Sequence, residues 1–280
     1  MTSNALATRI DASVLAAIAP KVTGSRAAKQ AEIIAGFAHL LPDLLQQFAV
    51  TSALRIEHLL SQVAHECDGF CTLEEYASGA AYEGRKDLGN TQPGDGKRFK
   101  GRCPLQLTGR ANYRLFTTWL RAYLADCPDF EDQPELVGRF PWAAWAVFYY
   151  WSTRGLNAIA DDDDLVLMTR RINGGTNGLS DRRAYLTKAK FVVGKIEASL
   201  IAASQTFPVL RRGTQGDDVI TLQRALRASG HYLLSIDGAF GPGTEGAVKS
   251  FQRSLALTVN GKVDRLTWAA LEPFFTEDPE

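Results

Sequence analysis

The chain has 280 residues, of which 45% are hydrophobic and 22% are charged, as in ordinary globular proteins. Its 31 basic and 31 acidic residues leave no formal net charge, so the charge balance gives no indication of a nucleic-acid or anionic-membrane partner. No apolar run approaches the roughly 20 residues that a membrane helix needs. The length predicts one large domain or two smaller ones.

Helical patterns dominate the region from about residue 13 to residue 70. Apolar residues recur there at three- and four-residue spacing, which is typical of amphipathic helices. Pro42 is predicted to break or restart the pattern, because proline lacks the backbone N–H of a helix interior. A further helix is expected to begin after Ser52, a favourable N-cap, and to stop at Gly69.

The stretch AHECDGF places Glu66 at the end of this helix, next to His65. A zinc-binding HExxH helix is excluded, because Gly69 stands where the second histidine would be. A zinc site formed by Cys67 and Cys71 with the histidine has spacing unlike that of a structural site. Two interpretations of Glu66 remain from this feature alone: an exposed helix-end carboxylate, or a general acid facing the polar segment that follows.

A polar segment rich in Gly, Asp, Asn, Lys and Arg extends from about residue 76 to residue 105. Loops of this length in compact domains are usually functional. Hydrolysis of a glycosidic bond usually needs a second carboxylate, and the candidates are Glu74, Glu75 and Glu83. A continuous helix would separate Glu66 from Glu75 by about 13 Å along its axis, which exceeds the roughly 6.5–9.5 Å of an inverting pair. Gly69 allows the chain to fold back and shorten this distance.

The segment from Phe99 to Tyr113 has a short apolar, strand-like core with polar residues at intervals. Gln106 and Thr108 alternate with two leucines, so the two polar side chains should share one face. Such a face can hydrogen-bond a sugar or hold a water molecule. An ordinary hairpin with a polar outer face is the alternative.

Helical patterns resume between Trp142 and about residue 203, and a linker is predicted at residues 200–208. The last segment contains an internal repeat, IDGAFGPGTEGAV at 236–248 and VNGKVDRLTWAAL at 259–271. Each unit predicts a turn at Asp-Gly or Asn-Gly followed by a short helix. The resulting three-helix module has no catalytic cluster, which favours a binding role. Its predicted core is Val219, Leu222, Leu226, Val248, Phe251, Leu266 and Leu271.

Four motifs follow one another along the chain: AHECDGF, LEEYASGAAYEGRKDLGN, PGDGKRFKGRCPLQLTGRANY and INGGTNGLSDRRAY. Their ordered set resembles glycoside hydrolase family 19, which comprises chitinases and the lysozyme-type endolysins of bacteriophages. The resemblance runs through most of residues 10–200. It implies a lysozyme-like helical catalytic domain, which we place at residues 1–203.

The resemblance also implies roles for individual residues. Glu66 matches the family's general acid, Glu75 its general base for water, and Thr108 the hydroxyl residue that helps to hold this water. Further positions match residues that line the family's sugar cleft: Gln106, Asn112, Asn173 and Arg182. The implied mechanism needs no metal and no organic cofactor.

One position departs from the family pattern. The family usually reads Gly-Arg-Gly-Pro where this chain has Cys103 between Arg102 and Pro104. Cysteine would be strained at a backbone angle that suits only glycine. Either the backbone angle at this position suits residues other than glycine, or the loop has a different local conformation from that of the family.

The C-terminal repeat, over about residues 207–273, resembles the small peptidoglycan-binding domain of many cell-wall hydrolases, and we place this domain at residues 204–280. The sequence therefore predicts a mainly α, two-domain endolysin or lysozyme that cleaves β-1,4 bonds of peptidoglycan with inversion. We expect a monomer whose partner is peptidoglycan, with no nucleic-acid or membrane partner. A chitinase on the same fold and a non-catalytic wall-binding protein are the alternatives.

The N-terminal stretch lacks the pattern of a secretory signal, because Asp11 interrupts its apolar residues. We therefore expect synthesis in the cytoplasm of a bacterial host and action on the wall in the periplasm after release. In the reducing cytoplasm the four cysteines are expected to be free thiols.

Overall fold

The computed structural model describes residues 3–205 and 207–275, so the two predicted domains include a few residues outside the described part. The chain forms two compact units. The larger unit consists of Ile10–Val193, and the smaller unit combines Met1–Arg9 with Gly194–Glu280. The predicted domain boundary between residues 203 and 204 stays a prediction.

The fold is mainly α, as predicted, and the extended segments of the described residues form only isolated β-bridges. The larger unit contains α2 (Ala12–Ile18), α3 (Gly24–Gln47), α4 (Ala53–Glu66), α5 (Asp95–Arg98), α6 (Arg110–Leu120), α7 (Trp142–Thr153), α8 (Leu156–Asp161) and α9 (Leu165–Asn173). Residues of α10 (Leu179–Gln205) belong to both units. The smaller unit also contains α1 (Ser3–Ala7), α11 (Asp217–Ala228), α12 (Pro242–Ser254) and α13 (Arg265–Leu271). Short 3-10 helices occur at Ala80–Tyr82, Lys86–Leu88, Pro134–Gly138 and Glu272–Phe274.

The long helix α10 extends into the segment that was predicted to be a linker. It continues to Gln205, so the first residues of the predicted linker at 200–208 are helical. Leu200 in this last part of the helix is buried, which gives the helix an apolar contact that local composition did not indicate.

Helix α4 lies in the interior of the larger unit. Every residue from Ile56 to Ala64 is buried, including the polar residues Glu57, His58, Ser61 and Gln62. The Ser52 side chain caps its N-terminus by accepting a hydrogen bond from the Arg55 N–H at 3.3 Å. After the helix, Gly69 takes a φ of 65°, which favours glycine. The predicted helix start is confirmed. The helix ends at Glu66, three residues before Gly69, and Asp68 is the first residue after it with a left-handed φ, of 51°.

The prediction that Pro42 interrupts the preceding helix is wrong. Pro42 lies inside α3, which continues for five more residues to Gln47. Leu41, Leu44 and Leu45 are buried on both sides of the proline, so the same core holds both parts of the helix. Packing therefore outweighs the loss of one backbone hydrogen bond.

The first repeat of the smaller unit is organised by the buried side chain of Gln223. Its amide oxygen accepts hydrogen bonds from the N–H groups of Asp237 and Gly238, both at 3.0 Å. Its amide nitrogen donates to Asp237 Oδ1 at 2.7 Å and to Thr244 Oγ1 at 3.2 Å. The Gln223 side chain thus forms hydrogen bonds both with the Asp237-Gly238 turn and with Thr244 in the first turn of α12.

The second repeat uses Gln252 in the same way. Its amide oxygen accepts from the N–H groups of Asn260 and Gly261, at 3.1 and 3.0 Å. Its amide nitrogen donates to Asn260 Oδ1 and to Thr267 Oγ1, both at 3.1 Å. The repeat seen in the sequence is therefore a repeat of one hydrogen-bond arrangement.

The core of this module agrees with the prediction at six of seven positions. The confirmed core residues are Val219, Leu222, Leu226, Val248, Phe251 and Leu271. Leu266 is only partly buried, because Asp264 caps α13 and places Leu266 on the outer side of the first turn. The indole of Trp268, which is 1% exposed, lies in the core instead.

The polar segment after α4 is tied to α6 by ion pairs. Asp95, which is 1% exposed, accepts hydrogen bonds from Arg110 Nε at 3.0 Å and Nη2 at 2.5 Å. Arg110 also reaches Glu131 at 3.0 Å, and Arg114 donates to the same carboxylate at 2.6 Å. The buried Asn90 accepts from the Arg110 N–H at 2.9 Å. This long loop is therefore held firmly.

Removal of one repeat glutamine should destabilise the module. In Gln252→Ala, two turn N–H groups and the Thr267 hydroxyl lose their buried partner, which should cost about 2 kcal/mol or more. Hydrogen exchange of the amides in α12 and α13, measured on the full chain, should accelerate accordingly. Arg253→Ala, an exposed neighbour on the same helix, should leave these rates unchanged. Unchanged exchange in Gln252→Ala would contradict the arrangement described.

Acid should weaken the ion pairs around Glu131. The hydrogen bond from Arg114, the largest cause, and that from Arg110 outweigh burial and lower the pKa of Glu131 from 4.5 to about 2. A carboxyl with a lowered pKa stabilises the fold above its unfolded pKa and loses this contribution as the pH falls through its folded pKa. Between about pH 4.5 and pH 2, the melting temperature of Glu131→Gln should therefore fall less steeply than that of the wild type, as measured by circular dichroism. The exposed Glu135→Gln variant should follow the wild type.

Candidate active site

An open cavity of about 330 Å³ lies beside the last turn of α4. It is lined by five of the seven predicted site residues, Glu66, Gln106, Thr108, Asn112 and Asn173. The other lining residues are Leu88, Leu105, Leu107, Tyr150, Arg154 and Ile172. Polar and apolar side chains share this wall about equally, and the converging polar groups could orient a bound ligand.

Arg182 lies behind this cavity and does not line it. Its side chain is fully buried and donates hydrogen bonds to Glu66 Oε1 and to Gln62 Oε1. The Glu66 side chain itself is 17% exposed. Arg182 was predicted to line the sugar cleft, but in this structure it orients the Glu66 carboxylate from below, because the start of α10 packs against the end of α4.

The neighbouring residues form a second, parallel contact between these helices. His65 Nδ1 lies 2.6 Å from Asp181 Oδ2. The His65 ring also packs against Gly178, where an added Cβ would lie 2.5 Å from the ring. Two consecutive residues at the end of α4 are therefore fixed by two consecutive residues of α10.

Glu75 does not line the cavity, but it is joined to the cavity wall through Gly101. Glu75 Oε1 accepts a hydrogen bond from the Gly101 N–H at 2.6 Å, and the Glu75 N–H donates to the Gly101 carbonyl at 3.0 Å. Glu75 Oε2 accepts from the Tyr82 hydroxyl at 3.0 Å. Both oxygens of this carboxylate are thus held in place.

Gly101 also contacts the two polar residues on the opposite side. A Cβ at Gly101 would lie 2.2 Å from Gln106 Oε1 and 3.2 Å from Thr108 Oγ1. The Thr108 hydroxyl donates to the Gln106 carbonyl at 2.9 Å, and its oxygen still has lone pairs that can accept from water. Glu75, Gln106 and Thr108 therefore all lie next to Gly101, which has no side chain. Sequence reasoning missed this role of Gly101 and the contact from Tyr82, since both depend on the folded loop.

The two other candidate carboxylates have partners within the loop. Glu74 Oε1 lies 2.9 Å from Arg102 Nε and 3.3 Å from Lys100 Nζ. Glu83 is exposed, and its two oxygens accept from the N–H groups of Gly94 and Gly96 at 2.6 and 2.8 Å. These contacts stabilise the loop. Among the three carboxylates, Glu75 is the one bound to Gly101.

Gln106 lies in a tight turn that an antiparallel bridge between Arg102 and Leu107 closes, so the segment is closer to the hairpin alternative than to a longer strand-like core. Cys103 and Gln106 both take a left-handed φ, of 60° and 54°. Such angles are costly for residues other than glycine and are often found at functional sites. The loop thus has the glycine-favouring angle at Cys103 in spite of the cysteine. Burial raises the pKa of its thiol to about 11, so this thiol is protonated at neutral pH.

The described part of the chain contains no group of three His, Cys, Asp or Glu side chains placed to hold a metal ion. The four cysteine thiols, Cys67, Cys71, Cys103 and Cys127, are buried and unbridged. None of the described helices combines the length and the apolar character needed to cross a membrane.

Comparisons with known proteins give matches for both parts of the chain. Residues 215–271 match the family described as "Putative peptidoglycan binding domain". A glycosyl hydrolase family 19 domain-containing protein of Haemophilus influenzae is 32% identical over 108 residues, which are 39% of this chain and 49% of that protein. An endochitinase of Arabidopsis thaliana is 32% identical over 121 residues, 43% of this chain and 39% of the relative. A spore cortex-lytic enzyme of Bacillus cereus is 45% identical over 53 residues, 19% of this chain and 20% of the enzyme.

The chain thus spans about half the length of the Haemophilus relative and about a fifth of the cortex-lytic enzyme. The matches confirm both resemblances that the sequence motifs indicated. One part of the chain is therefore similar to glycosyl hydrolase family 19 proteins, and residues 215–271 match a putative peptidoglycan-binding domain.

Proposed function

We propose that this protein is a lysozyme-type endolysin that hydrolyses the β-1,4 glycosidic bonds of peptidoglycan. The observation that carries the proposal is the cavity at the end of α4, where Glu66 meets the polar side chains of Gln106, Thr108 and Asn112. Glycoside hydrolysis needs a general acid and hydrogen-bonding groups that converge beside it.

In the proposed reaction, protonated Glu66 donates its proton to the leaving glycosidic oxygen. Glu75 accepts a proton from a water molecule that Thr108 helps to position, and the water oxygen attacks the anomeric carbon from the opposite face. One glycosidic bond breaks, one C–O bond to water forms, and the anomeric configuration inverts. Arg182 orients the acid, while Gly101 and Tyr82 orient the base.

The C-terminal module supports peptidoglycan as the polymer that is cut. Its family is described as peptidoglycan-binding, and a relative that shares similarity with this chain is named a spore cortex-lytic enzyme. A binding module raises the local concentration of an attached catalytic site on an insoluble substrate. We propose that the protein acts as a monomer on the bacterial wall in the periplasm, after synthesis in the cytoplasm of a host cell.

A chitinase is the second candidate, because an Arabidopsis relative at 32% identity is named an endochitinase. Chitin and peptidoglycan share β-1,4-linked N-acetylhexosamine units, so two carboxylates serve either polymer equally well. The two functions are separated by reducing-end release from purified sacculi and from colloidal chitin, at equal enzyme concentration. Peptidoglycan is the expected substrate, and cleavage of chitin alone would reject it.

Substitution of either proposed catalytic carboxylate should abolish hydrolysis while the wall is still bound. Glu66→Gln keeps an oxygen that can accept from Arg182, and Glu75→Gln keeps one that can accept from Gly101. Both variants should lose at least about 100-fold in turnover on purified Gram-negative sacculi, since each lacks its proton-transfer group. Their co-sedimentation with sacculi should equal that of the wild type.

Glu74→Gln is the matched control for these variants, because Glu74 is paired with Arg102 in the loop. It should retain most of the activity. Normal turnover in Glu75→Gln together with an inactive Glu74→Gln or Glu83→Gln would assign the base to another carboxylate. Normal turnover in Glu66→Gln would reject Glu66 as the acid, and an absence of hydrolysis by the wild type would favour a non-catalytic wall-binding protein.

A methyl group at Gly101 should also impair hydrolysis. In Gly101→Ala, the new Cβ needs the space now taken by Gln106 Oε1, so the Gln106 side chain must leave its present position in the cavity wall. Displacement of a catalytic group by about 1 Å can cost about 100-fold in rate. We expect a loss of turnover of at least about tenfold, with a small change in melting temperature. Gly194→Ala, where an added Cβ meets nothing within 4 Å, should behave as the wild type.

A further inference from the structure

Arg154 is a half-buried cation in the wall of the cavity beside α4. It directly follows α7, and its guanidinium lies over the ring of Tyr150 from the last turn of that helix, 3.5 Å from the ring centroid. This ring is itself fixed, because it is only 9% exposed and its hydroxyl donates to the Ile172 carbonyl at 2.9 Å. The cation–π contact therefore holds the guanidinium at the cavity before any ligand binds.

The charge of Arg154 has no partner within the part of the chain that the structure describes. The guanidinium forms no ion pair and no hydrogen bond with any described residue, whereas the Arg154 carbonyl accepts from Arg171 Nη1 at 3.4 Å. Glu66 is the other charged residue of the lining, and it is bonded to the buried Arg182 behind the cavity. Once Glu66 carries the proton that the proposed reaction needs, Arg154 is the remaining charge of the lining.

The contact with Tyr150 leaves the hydrogen-bonding edge of the guanidinium available. Its five N–H donors lie in the guanidinium plane. At 3.5 Å between Cζ and the ring centroid, the guanidinium must present its face to the ring, because an N–H group pointing at the ring would need a longer separation. The donors therefore extend alongside the ring and not into it. Their planar fork matches the two oxygens of a carboxylate.

We propose that Arg154 binds a carboxylate of the glycan strand and thereby favours peptidoglycan over chitin. Chitin consists of uncharged sugars, whereas muramic acid carries a lactyl group whose carboxyl is either free or extended by an acidic stem peptide. Arg154 and Glu66 line the same cavity, so the carboxylate belongs to a unit close to the bond that is cleaved. The inference rests on the proposed function and adds a specificity-determining residue to it.

The test measures kcat/KM of full-length variants on soluble strands that differ in their carboxylates. Stem-free strands, prepared from sacculi with an amidase, have free lactyl carboxylates. Stem-bearing strands, released by a peptidase that cuts only the cross-links, have stem-peptide carboxylates instead. Stem-free strands that are coupled to methylamine with a carbodiimide keep the lactyl shape and lose its charge.

Arg154→Met should lose at least about tenfold in kcat/KM on one or both of the strands with carboxylates, because a charge-assisted pair of hydrogen bonds is lost. On methylamidated strands it should stay within about threefold of the wild type, which also shows that the site remains folded. Arg154→Lys keeps the charge without the fork and should lose less than Arg154→Met. Arg139→Met is the matched control. It removes the same charge from an exposed residue before the opposite end of α7, outside the lining, and should match the wild type on every strand.

The pattern of losses decides the outcome. A loss confined to stem-free strands supports binding of the lactyl carboxylate, and a loss confined to stem-bearing strands supports binding of a stem-peptide carboxylate. Unchanged kcat/KM of Arg154→Met on both strands would overturn the proposal while the proposed function stands. An equal loss on methylamidated strands would overturn it too, since the guanidinium would then act on the site and not on a substrate anion. Cleavage of chitin oligosaccharides alone by the wild type would instead reject the proposed function.

Discussion

The geometry of the site depends on one buried cation. The Arg182 side chain is fully buried at the end of α4, where an unpaired guanidinium would be very costly. Glu66 Oε1 and Gln62 Oε1, one turn earlier, accept hydrogen bonds from its two Nη groups. The orientation of the proposed acid is therefore a consequence of hydrogen bonding to this buried guanidinium. The adjacent contact between His65 and Asp181 fixes the same two helices against rotation.

The proposed base belongs to a loop, and loops are normally mobile parts of a protein. Here the loop is restrained from two directions. Hydrogen bonds through Gly101 and Tyr82 fix the Glu75 carboxylate, and the ion pair of Arg110 with Asp95 binds the loop to α6. Sites on restrained elements hold their geometry better than sites on free loops. The left-handed angles at two residues of the adjacent turn show that the surrounding contacts are strong enough to maintain a costly backbone conformation.

The two repeats of the smaller unit share one hydrogen-bond arrangement. A turn leaves backbone N–H groups without partners, and in each repeat a buried glutamine from the preceding helix binds them. The unit also includes Met1–Arg9, and Arg9 lies 3.2 Å from Glu272. The predicted division of the chain into two consecutive parts did not anticipate this contribution from the N-terminal segment.

Local signals in the sequence were sufficient for the helical class, the N-cap at Ser52, a helix end close to Gly69 and the repeated turns of the C-terminal module. Each of these features depends on residues a few positions apart, so the chain specifies it before it folds. The tertiary structure alone decided that Arg182 is buried under Glu66, which lies 116 positions earlier, and that Glu75 meets Gln106 and Thr108 at Gly101. It also decided that Pro42 stays helical and that Leu266 is only partly buried. These outcomes depend on which surfaces pack together, because burial and long-range pairing change the free energy of a residue more than its own local preference does.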